Sequence, residues 1–188
     1  MIRSVLCLAL MLSASAAASQ TANIAGWEIG PADDRKSCFM GGDFNGGTSV
    51  VVIASATDPN VIYSFTNKKW RGIVDGKKYK MIIEVDDMGE WTVNTVGMDL
   101  STGKGFGFNF PRKGQNGENF VTEFALGHNI SITREDGTPV EKLNLTGSRE
   151  ATVALFKCVG LLRNSPAYDP FEGEAETNEK PISLETSI

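Results

Sequence analysis

The sequence predicts an α+β fold that is mainly β: an antiparallel β-sandwich or open barrel, with one short helix and a C-terminal helix tied by a disulfide. Three observations carry that expectation. Apolar and polar residues alternate through most of residues 26–145, punctuated by Gly, Asp and Asn at turn positions. Helical spacing shows in two late stretches. Cys38, in an early strand, and Cys158, in the last helical stretch, offer a pair.

The elements read in order as follows. Residues 26–30 (GWEIG) form a first short strand, and residues 37–40 a second that carries Cys38. GGDFNGG, residues 41–47, reads as a turn because glycine reaches positive φ without a Cβ clash. Residues 48–54 are a Val/Ile run with strand character, closed by Thr57, Asp58, Pro59 and Asn60, and residues 61–66 alternate as the next strand. Residues 78–86 alternate again, with Tyr79, Met81, Ile83 and Val85 on one side; a turn at 86–89 leads into the hairpin partner, residues 91–98. Phe106, Phe108 and Phe110 are spaced by two and share one face of a further strand. Residues 119–126 have helical spacing, with Gly127 as a stop. A hairpin of residues 130–134 and 140–145 follows. The last element is a helix in which Ser148 caps, Glu150 complements the N-terminal dipole, and Ala151, Ala154, Leu155, Cys158, Leu161 and Leu162 form the apolar stripe.

The chain divides into three parts. Residues 1–18, MIRSVLCLALMLSASAAA, have a positive start at Arg3, an apolar centre and a small-residue end, the layout of a secretory signal peptide. Residues 19–163 form a single β-rich domain. Residues 164–188 hold six acids and one Lys without periodicity and read as a disordered acidic tail. Export leaves Cys38 and Cys158 in an oxidising compartment, where a pair is expected to form a disulfide. Over the whole chain 18 Lys and Arg face 23 Asp and Glu, a net charge of −5. That acidity argues against nucleic acid as a partner. Without Arg3 the mature chain stands at −6, and the tail carries −5 of it, so the folded body is nearly neutral.

The densest chemical signal is basic. Lys68, Lys69, Arg71, Lys77, Lys78 and Lys80 lie within thirteen residues, opposed there by Asp75, with Trp70 and Tyr79 interleaved. On a loop between strands they suit a polyanion, such as lipopolysaccharide phosphates or an acidic glycan, with Trp70 stacking on a ring. The same pattern also describes a solvated loop and a strand whose outward positions are lysine. No metal or cofactor is expected. The chain has one histidine, Asp43 begins a calcium-like loop with Ala54 where Glu is needed, and GKGFGF at 103–108 has neither P-loop spacing nor a following helix. Asp86, Asp87 and Glu90 read as the polar tip of a hairpin. His128 is the one candidate base, to be paired with a carboxylate such as Glu123 or Asp136 in a hydrolase.

Trp27 in a W-x-I start, Cys38 eleven residues on, and the closing segment LTGSREATVALFKC resemble small periplasmic proteins of alphaproteobacteria. More distantly, the chain resembles the invasion-associated locus B family, secreted β-rich domains that end in a Gly/Ser-led helix with a cysteine. The resemblance spans residues 27–158 in outline and brings no catalytic residues. It implies compartment and fold type. Taken together, the sequence leads to a periplasmic or secreted non-enzymatic binding domain of the bacterial envelope. Its partner is an anionic polymer or a protein, and no transmembrane segment remains after processing. The alternative is a hydrolase using His128.

Overall fold

The computed structural model describes residues 21–165, so the expected signal segment and the tail beyond Ser165 lie outside the described residues. Ten strands and two helices follow one another as β1 (Ala22–Ile24), β2 (Trp27–Pro31), β3 (Ser37–Asp43), β4 (Thr48–Ser55), β5 (Asn60–Asn67), β6 (Lys78–Val85), β7 (Glu90–Leu100), β8 (Gly103–Pro111), α1 (Gln115–Leu126), β9 (Asn129–Arg134), β10 (Pro139–Asn144) and α2 (Ser148–Arg163). All ten strands join one sheet in the order β1-β2-β3-β4-β5-β8-β7-β6-β9-β10, and every pairing is antiparallel. Of the two expected arrangements this is the open barrel. The sheet curls until its far side returns: the Thr48 hydroxyl of β4 donates to Glu141 of β10 at 2.5 Å, and the Trp27 indole N–H of β2 donates to the Thr146 carbonyl at 3.1 Å. No ladder joins β10 to β1, so the barrel stays open.

Period-two patterning puts one face of each strand inside. Val50, Val52 and Ala54 of β4, Val61, Tyr63 and Phe65 of β5, and Met81, Ile83 and Val85 of β6 are all buried. The aromatic residues fill the middle. Phe65 stacks on Phe106 at 5.7 Å between ring centres, Tyr63 stacks on Phe108 at 5.4 Å, and Phe120 of α1 meets Tyr63 edge to face at 5.0 Å. Phe110 completes the cluster against Phe120 at 4.5 Å. The three phenylalanines of β8 therefore do share one face. Burial of this kind is worth roughly 25 cal/mol per Å² of apolar surface, and the stacked rings leave the barrel a packed core, not an internal ligand chamber.

α2 lies against β2, β3 and β4, and α1 against β8 and α2. Cys158 of α2 is bonded to Cys38 of β3, with their Cα atoms 6.1 Å apart across 120 residues of chain. In the chain-entropy model a closure of that length stabilises by about 5 kcal/mol. Among the described residues no helix is long and apolar enough to cross a membrane.

Four local expectations change. A strand, β1, precedes the first expected one and pairs with it through the turn at Ala25 and Gly26. The turn expected over 41–47 begins only at Phe44, because Gly41 and Gly42 continue β3 in register with Val51 and Val50; a Cβ on Gly42 would already touch the Trp27 ring at 3.4 Å. Ser148 does not cap α2. Gly147, at φ 82°, precedes the helix in the left-handed conformation that glycine alone adopts cheaply, while the Ser148 hydroxyl donates to the Ala125 carbonyl at 3.2 Å. The buried stripe of α2 is Ala151, Thr152, Leu155 and Val159, and Leu161 points outward, 66 % exposed.

Candidate functional site

Residues 68–77 link β5 to β6, which are not neighbours in the sheet, so the loop must pass over the ends of β8 and β7. Its inward residues anchor it there. Trp70 is half-buried and lies parallel to Phe106, 5.4 Å between ring centres with planes 17° apart. The Lys69 backbone N–H donates to the buried Asn67 side chain at 2.8 Å, and Asn67 in turn donates to Thr48 at 2.8 Å. The Val74 N–H donates to the Tyr79 hydroxyl at 2.9 Å. Lys104 donates its ammonium to the Ile73 carbonyl at 3.0 Å. Gly76 N–H to Gly97 carbonyl at 2.9 Å and Gly97 N–H to Lys77 carbonyl at 2.8 Å finish the attachment. Gly97 is the residue that admits the loop: a Cβ there would stand 2.2 Å from the Val74 carbonyl oxygen.

The cations of the loop face the other way. Lys68, Lys69, Arg71, Lys77 and Lys78 are exposed. Lys77 sits over the Tyr79 ring with its ammonium 5.4 Å from the centre. Lys78 projects outward from the start of β6, opposite Val96. Lys80 stands apart from this group. Its ammonium is 2.6 Å from Glu135, in a shallow depression of about 350 Å³ that also holds Arg134 and Asp136. Of the seven residues expected to bind, five therefore form an exposed basic set on or beside one anchored loop. Lys80 is committed to an ion pair, and Trp70 gives one face of its ring to Phe106, which makes it the loop's anchor.

A second basic feature lies at the opposite end of β5. A cleft of about 800 Å³ opens between α1, α2 and the β4–β5 and β8–α1 connections. Arg112, Lys113 and Arg163 line it against one acid, Glu118, and Val121, Phe156 and Val159 contribute apolar walls. Arg163 donates to the Ala56 carbonyl at 3.0 Å, and Arg112 donates to the Asp58 carbonyl at 2.5 Å, so both side chains tie secondary structure to the cleft edge. The site is not legible along the chain, because Arg163 lies fifty residues after the adjacent Arg112 and Lys113 and meets them only through the packing of α2 on α1.

The expected acid–base pairing changes partner. Glu123 accepts the Trp91 indole N–H at 2.5 Å, and Asp136 pairs with Arg134 at 3.1 Å. The carboxylate beside His128 is Asp86, with 3.4 Å between Nδ1 and Oδ2. Asp86 also accepts the backbone N–H groups of His128 at 2.8 Å and Asn129 at 3.0 Å, and these bonds, the one from His128 foremost, hold its carboxyl below the usual carboxylate range. The His128 side chain is 86 % exposed. Ser148, the serine that opens α2, directs its hydroxyl to Ala125. Among the described residues no group of three or more His, Cys, Asp and Glu is placed to hold a metal ion. No family model, curated protein or solved structure matches the chain.

Proposed function

We propose that this protein is an exported, non-enzymatic binding domain of a bacterial envelope, periplasmic or secreted, and that its anchored basic loop recognises an anionic polymer. The supporting observation is the division of labour within residues 68–78. Trp70, Ile73 and Tyr79 hold the loop to the barrel end, while Lys68, Lys69, Arg71, Lys77 and Lys78 are exposed. A loop fixed by its own core loses little conformational freedom when a ligand arrives. Phosphate or carboxylate groups spaced along a polymer meet such a row through charge-assisted hydrogen bonds, Arg71 with its planar fork and the lysines as point charges. The packed barrel interior favours a surface ligand over an enclosed one. The disulfide Cys38–Cys158 and the signal-like residues 1–18 support the compartment.

The test replaces Lys68, Lys69 and Arg71 together with Ser and measures binding to purified lipopolysaccharide and to a polyuronate. Affinity for the ligand in use should fall at least tenfold, and the slope of log affinity against log salt should become shallower. Unchanged affinity and slope would remove the loop from the binding surface. The hydrolase alternative rests on the exposed His128–Asp86 pair, without a hydroxyl or thiol nucleophile hydrogen-bonded to that imidazole among the described residues.

A further inference from the structure

We infer that the cleft between α1 and α2 is the seat of the chain's own acidic segment, residues 166–188, with Tyr168 or Phe171 on its apolar wall and the flanking acids on its basic rim. Position is the first argument. Arg163 closes α2 and lines the cleft, and the Ser165 N–H turns back to the Leu162 carbonyl at 3.1 Å, so the last described residue is two positions from a cleft-lining side chain. At no more than about 3.5 Å per residue, Tyr168 lies within about 10 Å of Ser165 and Phe171 within about 20 Å. Composition is the second. Residues 166–188 carry Asp169, Glu172, Glu174, Glu176, Glu179 and Glu185 against Lys180, and their only aromatic residues are Tyr168 and Phe171, both at the near end. The cleft offers the complement, Arg112, Lys113 and Arg163 around Val121 and Phe156, with Glu118 as its single acid. Opposite charge on a rim around an apolar patch selects a short acidic segment with an aromatic anchor.

Geometry also separates this seat from the basic loop. Arg112 donates to the carbonyls of Asp58 and Pro59 at the start of β5, whereas the loop begins at Lys68 beyond the strand's other end, about 23 Å away at the rise of an extended strand. The cleft is the cationic surface that the segment meets first, and its occupation leaves residues 68–78 open to an external polyanion. The inference therefore stands independently of the loop's partner.

Amide NMR of the full mature chain tests it by comparing three forms, the unaltered protein, Tyr168→Ser/Phe171→Ser and Lys113→Glu. Both variants should shift the amides of Val121, Thr122, Phe156 and Gly160, and both should speed proteolysis within residues 166–188 at least fivefold. Unmoved amides along the core strands β4, β5 and β8 in the Tyr168→Ser/Phe171→Ser form would exclude a fold defect as the cause. Shifts confined to residues 164–188, or appearing at residues 68–78, would overturn the inference. So would cleft shifts that grow with protein concentration, which would place a second copy's segment there.

Discussion

Gly97 shows how one residue sets the whole candidate surface. It sits in β7 with its inward side against the loop, and a Cβ would drive into the Val74 carbonyl at 2.2 Å and the Tyr79 ring at 3.1 Å. Gly97→Ala should therefore lift the loop, costing roughly 1–3 kcal/mol as an overpacked core does. Trypsin cleavage at Lys68, Lys69 and Arg71 should accelerate at least tenfold; an unchanged cleavage rate would mean that the loop is not held at this point. Nothing local marks Gly97, since a glycine in a strand pattern signals only a close approach of unknown partner. Trp70 was legible as an aromatic among cations, yet its partner, Phe106, is a contact that sequence spacing cannot show. Asp86 gives a second residue-scale prediction. Its folded pKa is depressed, so its contribution to stability is complete above the ordinary carboxylate value of about 4 and is lost as pH falls through the lower folded value. In Asp86→Asn the urea midpoint at neutral pH should drop toward the acid value, and the decline between neutral pH and pH 3 should shrink. An identical decline in the two proteins would assign the acid sensitivity to other groups.

At the scale of elements, α2 depends on a covalent tie as well as on packing. Ala151, Leu155 and Val159 face the sheet, and Cys158 fixes the helix to β3. The double variant Cys38→Ala/Cys158→Ala should lose about 2–5 kcal/mol of stability. Hydrogen exchange should rise first along α2, and loss spread evenly over all ten strands would argue that the bond only constrains the unfolded chain. The strands and this helix were readable because periods of 2 and 3.6 are local properties. The errors have local causes too. Glycines at 41 and 42 resemble a turn but serve a strand that runs beneath Trp27. The start of α1 at Gln115 lies four residues before the expected start at Asn119, and Leu161 sits on the margin of the stripe, turned away from the face that carries Ala151, Leu155 and Val159.

For the molecule as a whole, topology is what the sequence left hidden. Hairpins such as β6–β7 and β9–β10 follow from adjacency, but the pairing of β5 with β8 and of β6 with β9 joins distant segments. Those two crossings send residues 68–77 across the barrel end and so create the basic surface. The α1–α2 cleft at the other end gives the nearly neutral body a second, separate cationic face. The proposed face for an external polyanion is the anchored loop. A chemical-shift titration of the full mature chain with a soluble phosphorylated oligosaccharide tests it most directly. The amides of residues 68–71, 77 and 78 should move together, saturate, and return on raising salt from about 50 to 500 mM. Saturating shifts at residues distant from this loop, with residues 68–78 unmoved, would contradict it.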